Sequence, residues 1–274
     1  MTSHFGLIVI GDEILSGKRA DKHLPKFIEL LGVRGLSLAW AEYVGDDPAR
    51  ITATLARAFA AARETGAVVF STGGIGATPD DHTRQCAARA LGVELALHPQ
   101  AKALIEERMR DVAREQGRAF EPGRDDNVHR LNMGVFPLGA QIIPNPYNKI
   151  PGFSCPAGQG AIHFLPGFPV MAWPMMEWVL DEHYGAWHRS SVMVEKSVIV
   201  MGAMEAALTP LMVQIEALYP PIKVFSLPSV DHPQFGRHIE LGVKGAPEIV
   251  NQAYPALLAG LHQFDLKLGP ELVR

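Results

Sequence analysis

Short apolar runs that end near glycine alternate with segments of helical spacing over the first third of the chain. Leu7-Ile8-Val9-Ile10 closes on Gly11 and predicts a buried parallel strand. Leu24, Phe27, Ile28 and Leu31 then recur at helical spacing, with Asp21 as candidate N-cap and Gly32 as stop. Leu36 to Val44 reads as a second strand. Asp47-Pro48 opens a helix whose buried face is Ile51, Leu55, Phe59 and Ala62, ended by Gly66. Ala67 to Phe70 predicts a third strand. Thr78-Pro79-Asp80-Asp81 predicts the start of a helix that carries Cys86, Ala87, Ala90 and Leu91 inward and closes at Gly92. This rhythm predicts an α/β fold with a doubly wound, mostly parallel sheet. Loops 11–20, 45–48 and 71–83 all follow strands, so they are expected at one sheet edge, where ligands bind.

The rhythm then changes. Residues 99–116 form a charged helical stretch, followed by a polar link, GRAFEPGRDDN. Eight of the 21 prolines fall between Pro137 and Pro174, which predicts loops and short strands, among them Ala161 to Leu165. Met171 to Leu180 is expected as a helix leaving the main domain. Beyond Ser190, strands over 192–201, 222–227 and 238–243 and helices over 205–218 and 247–264 give the order βαββα. That order predicts a small α+β domain, KH-like by its elements, over 190–274, beside a main domain over 1–180. Gly242-Val243-Lys244-Gly245 spells the GxxG of RNA-binding KH domains, but it falls between a strand and a helix, away from the KH loop.

Composition narrows the function classes. A net charge of −4 and a pI near 6.3 give no basic footprint, so no nucleic-acid partner is expected. Two cysteines, Cys86 and Cys155, suggest neither a disulfide framework nor a metal knot. With neither a signal-peptide pattern nor a membrane-length apolar run, the expectation is a cytoplasmic protein without a membrane partner.

The candidate chemistry sits in STGGIGATPDDHT at 71–83. Gly73, Gly74 and Gly76 permit positive φ and would leave room for a ligand against the backbone. Amides at the following helix start would favour a phosphate. Asp80 and Asp81 would repel that phosphate unless a Mg²⁺-like ion bridged them. The plainer alternative is a capping box, Thr78-x-x-Asp81, with Pro79 at the first helical position. GDEILSG at 11–17 repeats the theme: a strand, a glycine, two carboxylates and a hydroxyl. Lys18 and Arg19 follow it and would meet phosphate charge or solvent. Of Asp46 and Asp47, the second is most simply an N-cap, which leaves Asp46 freer. His183 and His188 lack a third ligand and are expected at the surface.

GDEILSG, TGGIGATPDDHT and Pro166-Gly167-Phe168-Pro169, in that order, resemble the MoCF (molybdopterin-binding) family. Within it they are most similar to the CinA-like (competence/damage-inducible protein A) branch, over residues 4–180. The tail resembles the KH-like domain that follows in that branch, and the branch's nicotinamide-nucleotide amidase domain and activity are expected to be absent. The resemblance implies a small-molecule nucleotide or pterin bound through phosphate. In the molybdenum-cofactor branch, the same domain adenylylates molybdopterin with Mg-ATP. In the CinA-like branch it is similar to a metal-dependent ADP-ribose pyrophosphatase. A non-catalytic binding module is the third alternative. Carried over by motif, Asp12, Asp46 and Asp81 would be catalytic. A divalent metal (Mg²⁺, Mn²⁺ or Co²⁺) would sit on Asp80, Asp81 and Asp12, with molybdopterin as the alternative ligand. Gly11, Glu13, Ser16, Gly17, Thr72, Gly73, Gly74, Gly76, Thr83, Asn145, Pro166 and Gly167 would bind substrate. The resemblance also implies a homo-oligomer, with a dimer favoured. The chain departs from the branch at Asp21-Lys22-His23, where an Asp-Thr-Asn is usual. It departs again at Asn148-Lys149 in the Asn-Pro loop and at Met171, where a Glu is expected.

Overall fold

Strand β1 (Phe5–Ile10) is buried at every position, as a central strand covered on both faces must be. The computed structural model describes residues 5–188 and 193–274. The short α1 (Asp12–Leu15) follows at once. Helix α2 (His23–Gly32) starts where the Asp21 carboxylate accepts the amides of His23 and Leu24, at 2.8 and 3.1 Å. Its buried stripe is His23, Phe27, Leu30 and Leu31, which rotates the expected face past Ile28 and leaves that side chain half exposed. Strand β2 (Leu38–Val44) alternates along the sheet edge. Helix α3 (Pro48–Thr65) is capped by Asp47, whose carboxylate accepts the Arg50 amide at 2.8 Å, and ends at Gly66.

After β3 (Val68–Thr72) the chain does not turn directly into a helix at 78, as the capping-box pattern suggests. Helix α4 (Thr83–Leu91) begins five residues later, and 73–82 form an irregular loop. The loop closes on Thr83, whose amide donates to the Gly74 carbonyl at 3.0 Å and whose hydroxyl donates to the Gly73 carbonyl at 3.1 Å. Next come β4 (Leu95–Leu97), α5 (Pro99–Glu115) and α6 (Asp125–Leu131). Helix α6 begins in the last three residues of the stretch expected as a polar link. It is a short helix with two carboxylates in its first turn and two basic side chains in its last, which suits the macrodipole.

The proline-rich segment supplies β5 (Val135–Pro137), β6 (Gln141–Ile143), β7 (Gly152–Ala157) and β8 (Gly160–Leu165). It also contributes to α7 (Pro169–Tyr184), a full helix that contains Pro174. Pro169 at its first position lacks a donor that would be unpaired anyway. Helix α7 does not leave the domain: Ala172, Met175, Met176, Val179 and Leu180 are buried against α2 and the sheet. The sheet order is β2-β1-β3-β8-β7-β6, with the first four strands parallel and β7 antiparallel to both its neighbours, β8 and β6. Helices α2 and α7 cover one face, while α3, α4 and α5 cover the other. The architecture is the expected α/β fold.

The chain divides into two compact units, Met1–His188 and Arg189–Arg274. The expected domain start at 190 and strand start at Val192 lie outside the described residues. The second unit contains β9 (Val194–Met201), α8 (Glu205–Leu218), β10 (Lys223–His232), β11 (Gly236–Gly245), α9 (Pro247–Leu261) and β12 (Lys267–Val273). Strand β12 extends the anticipated βαββα to βαββαβ. The antiparallel order β10-β11-β9-β12 is the split-βαβ arrangement, with both helices in a single core against the sheet. The GxxG tetrapeptide lies within β11 and forms no loop. A Cβ at Gly242 would stand 2.5 Å from Phe225 Cζ and 2.6 Å from Ser197 Cβ, so that glycine serves packing. Among the described residues, no helix is long and apolar enough to cross a membrane.

Candidate functional site

The carboxyl ends of β1, β2, β3 and β8 open onto one cleft of about 710 Å³, the size of a site for a nucleotide-scale ligand. Its wall takes Gly11, Glu13, Lys18 and Arg19 from the loop after β1 and Asp46 from the loop after β2. Thr72, Gly73, Gly74, Gly76, Asp80 and Asp81 come from β3 and the loop behind it. Pro166 and Gly167 follow β8, while Asn145, Asn148 and Met171 close the far side. The expected convergence of the three strand-following loops is therefore present.

Asp12, Ser16, Gly17 and Thr83 do not line the cleft. Asp12 is instead locked to its neighbour. Its amide donates to Asp46 Oδ2 at 2.9 Å, and its own Oδ1 accepts the Asp46 amide at 3.2 Å. That exchange places Asp12 beside Asp46 as a support and leaves Asp46 in the wall. Ser16 ends the short α1, Gly17 continues its turn, and Thr83 is consumed in closing the glycine loop.

The glycine loop also differs from the open cradle that its residues suggest. Gly73 has φ 97°, and a Cβ there would lie 2.1 Å from the Ile10 carbonyl oxygen. At Gly74, with φ 67°, it would meet the Thr83 hydroxyl at 2.2 Å. A Cβ at Gly76 would stand 2.6 Å from Asp81 Oδ2. The missing side chains thus make room for protein atoms. The Gly73 amide is likewise spent, donating to the Leu165 carbonyl at 3.0 Å and tying the β3 loop to β8. The amides of Gly74, Ile75, Gly76 and Ala77, all cleft residues, are not spent on protein acceptors among the described residues.

Asp81 holds the loop together. Its Oδ2 accepts from the Thr78 amide at 2.8 Å and the Thr78 hydroxyl at 2.6 Å, half of the capping-box pattern without the helix. Buried Arg84 donates to the Ile75 carbonyl from beneath. Burial pushes its guanidinium below the ordinary arginine value, partly offset by Asp81. Asp46 is raised above the usual carboxylate range, first by burial and then by the charges of Asp12, Glu13 and Asp80, against the Asp12 amide bond. Asp80 itself is held below the usual carboxylate range, first by the Thr78 side chain.

Two buried polar atoms of the cleft residues have no protein partner among the described residues, Thr72 Oγ1 and His23 Nδ1. His23 stands where the resemblance leads one to expect Asn. Its Nε2 is 3.0 Å from the Gly167 carbonyl, which can only accept, so Nε2 carries the proton and Nδ1 the lone pair. Burial lowers the His23 pKa, with Gly167 and Asp21 acting in the opposite direction.

The far wall is self-contained. Asn145 Nδ2 donates to Asn148 Oδ1 at 2.8 Å and the Ile150 carbonyl at 2.9 Å, while its Oδ1 accepts the Tyr147 amide. Asn148 Nδ2 points to Met171 Sδ at 3.3 Å. Asn145 therefore shapes its turn. Lys149 does not line the cleft: its ammonium pairs with Glu107 and Asp111 of α5. Sequence reading missed Thr78, Met133, Ile150, Pro151 and Phe168 as wall residues. Phe168 was signalled by its place in the loop after β8, whereas Met133 carried no comparable signal.

Among the described residues, no three His, Cys, Asp or Glu side chains form a cluster that would hold a metal by themselves. The expected set of Asp12, Asp80 and Asp81 is thus not a ready cage. Glu13, Asp46, Asp80 and Asp81 line the cleft as separate carboxylates, and an ion of the Mg²⁺ kind would need only one or two of them, completing its shell with water and phosphate oxygens.

Comparison with known proteins bears on the family and the fold. The family model described as a probable molybdopterin binding domain, MoCF_biosynth, matches residues 6–184. A CinA-like protein of Anaeromyxobacter sp. (strain K) is 35% identical over 181 residues, 66% of this chain and 41% of that protein. One from Mycobacterium marinum is 36% identical over 178 residues, 64% of this chain and 40% of its own length. The chain thus spans about two-fifths of the length of these relatives. The crystal structure of the protein CinA with unknown function from Thermoplasma acidophilum superposes with a TM-score of 0.55 at 24% identity, over 66% of this chain and 98% of that one. That likeness concerns the fold. The chain belongs to the family of probable molybdopterin binding domains and is similar within it to CinA-like proteins.

Proposed function

We propose that the cleft binds a nucleoside diphosphate of the ADP-ribose class together with a divalent cation, and hydrolyses its phosphoanhydride. The observation that carries this reading is the meeting of Glu13, Asp46, Asp80 and Asp81 with Lys18 and the unpaired loop amides in a single cleft. Carboxylates beside an anion site are otherwise repulsive, and a cation resolves the conflict. Asp46 and Asp80 are the ion's side-chain ligands in this reading, with Asp12 positioning Asp46. A bound ion of this kind would offset phosphoryl charge and lower the pKa of an attacking water. The Gly74, Ile75 and Gly76 amides orient the phosphate, and Lys18 meets its charge. The Thr72 hydroxyl gains a partner when ligand enters.

Incubation with ADP-ribose and Mg²⁺, Mn²⁺ or Co²⁺ is expected to release AMP and ribose 5-phosphate. Asp80→Asn should lower the rate by about 100-fold, the scale of losing one preorganised electrostatic contact. AMP release equal in wild type and variant would remove the assignment. The second reading is favoured by the family description itself: the cleft handles molybdopterin, by binding or adenylylation. Deletion of the gene would then impair molybdoenzymes and leave ADP-ribose turnover unchanged.

A further inference from the structure

We propose that Phe168 and Arg19 form a shelf on which the planar heterocycle of the ligand stacks, fixing that end of the molecule away from the acidic end of the cleft. The inference rests on the phosphate-binding reading above and adds the part of the ligand that reading leaves open. Phe168 is 55% exposed although it lines the cleft. An aromatic face open to a ligand cleft is a surface against which a planar group can pack. Its backbone is fixed, because its carbonyl accepts the amides of Met171 and Ala172 at 3.0 and 2.9 Å as the cap of α7. The side chain is therefore delivered to the cleft from a fixed backbone position, with more than half of the residue exposed.

Arg19 lies over that ring, with its guanidinium carbon 6.0 Å from the centroid. Its amide donates to the Glu13 carbonyl at 2.9 Å, which anchors the loop that delivers it. Among the described residues the Arg19 guanidinium has no carboxylate partner, so a planar cation and an aromatic face border the same cleft. Arginine planes and aromatic faces are the surfaces on which heterocyclic bases stack.

Strand order separates the two ends. Phe168 follows β8 and Asp46 follows β2, three strand positions apart. At about 4.8 Å per strand, the strand ends that deliver them stand roughly 14 Å apart, a span suited to a heterocycle joined through a sugar or pyran to a phosphate chain. A purine nucleotide and a phosphorylated pterin share this chemistry.

The test is calorimetric titration of the full chain in Mg²⁺ with three probes: ADP-ribose, neopterin monophosphate and ribose 5-phosphate. Phe168→Ala is expected to weaken binding of the heterocyclic probe about tenfold, the scale of one base-aromatic stack. Phe168→Tyr should restore that affinity, and ribose 5-phosphate should bind wild type and Phe168→Ala alike. Loss confined to ADP-ribose identifies a purine, and loss confined to neopterin monophosphate a pterin. Unchanged heterocycle affinity in Phe168→Ala overturns the shelf alone, as does an equal loss for ribose 5-phosphate, which would mark a structural role. Failure of wild type to bind either heterocyclic probe overturns the shelf together with the phosphate reading.

Discussion

Gly73→Ala is expected to destabilise the first unit by about 4 kcal/mol, the sum of left-handed backbone strain and a core overpacked by one methyl. The residue sits at φ 97° with the Ile10 carbonyl oxygen 2.1 Å from where the new carbon would go. Neither partner yields easily. Ile10 is the last residue of β1, and Gly73 is tied to β8 through the Leu165 carbonyl. For a unit of this size the midpoint of thermal unfolding should fall by roughly 10 °C. Gly76→Ala is the contrast. Its new carbon meets the end of the Asp81 side chain, which has room to rotate, so stability falls less while the loop loses its Thr78 contacts. Equal melting temperatures for wild type and Gly73→Ala would mean that the loop does not pack on β1 as described.

Acid sensitivity is the second large effect. His163 is buried in β8, with its Nδ1 2.7 Å from Ser154 Oγ and its Nε2 2.7 Å from Tyr184 Oη. Phe70 and His183 pack on the same ring. Burial, with a smaller contribution from His183, pushes its pKa down to about 3 from an ordinary 6.5. The folded chain therefore refuses a proton that the unfolded chain accepts. Stability from this group is complete above pH 6.5 and drains as the pH falls toward 3, by up to about tenfold in the folding constant per pH unit. Urea unfolding of the wild type at pH 7.5 and pH 4.5 should show the loss. His163→Gln, neutral throughout, should be less stable at pH 7.5 but lose less between the two values. An identical acid loss in both proteins would place the sensitivity elsewhere.

The sheet was legible because its strands are short, continuous and bounded by glycine, and because Asp47-Pro48 and Gly66 mark helix ends by local chemistry alone. The helix start at 78 was misread for the complementary reason. Thr78 and Asp81 do bond to each other, but the tertiary pull of Thr83 on Gly73 and Gly74 decides where the helix begins. Helix α7 is apolar over much of its circumference, so periodicity gave no face to assign to the sheet. Strand β12 contains a glycine and a proline, which argue against a strand until β9 is there to pair with it. At the site, residue types announced carboxylates and glycines. They did not show that Asp12 would trade hydrogen bonds with Asp46 and withdraw from the wall, or that the glycine space would be filled from within.

The central claim is that loops from separate parallel strands bind phosphate through a cation held by Asp46 and Asp80. Titrating ADP-ribose into the full chain, with and without Mg²⁺, tests it most directly when wild type is compared with the double variant Asp46→Asn, Asp80→Asn. The account predicts that Mg²⁺ tightens wild-type binding at least about tenfold and that the double variant shows no such gain. Binding that ignores Mg²⁺ in the wild type, or a gain that survives both substitutions, would contradict it.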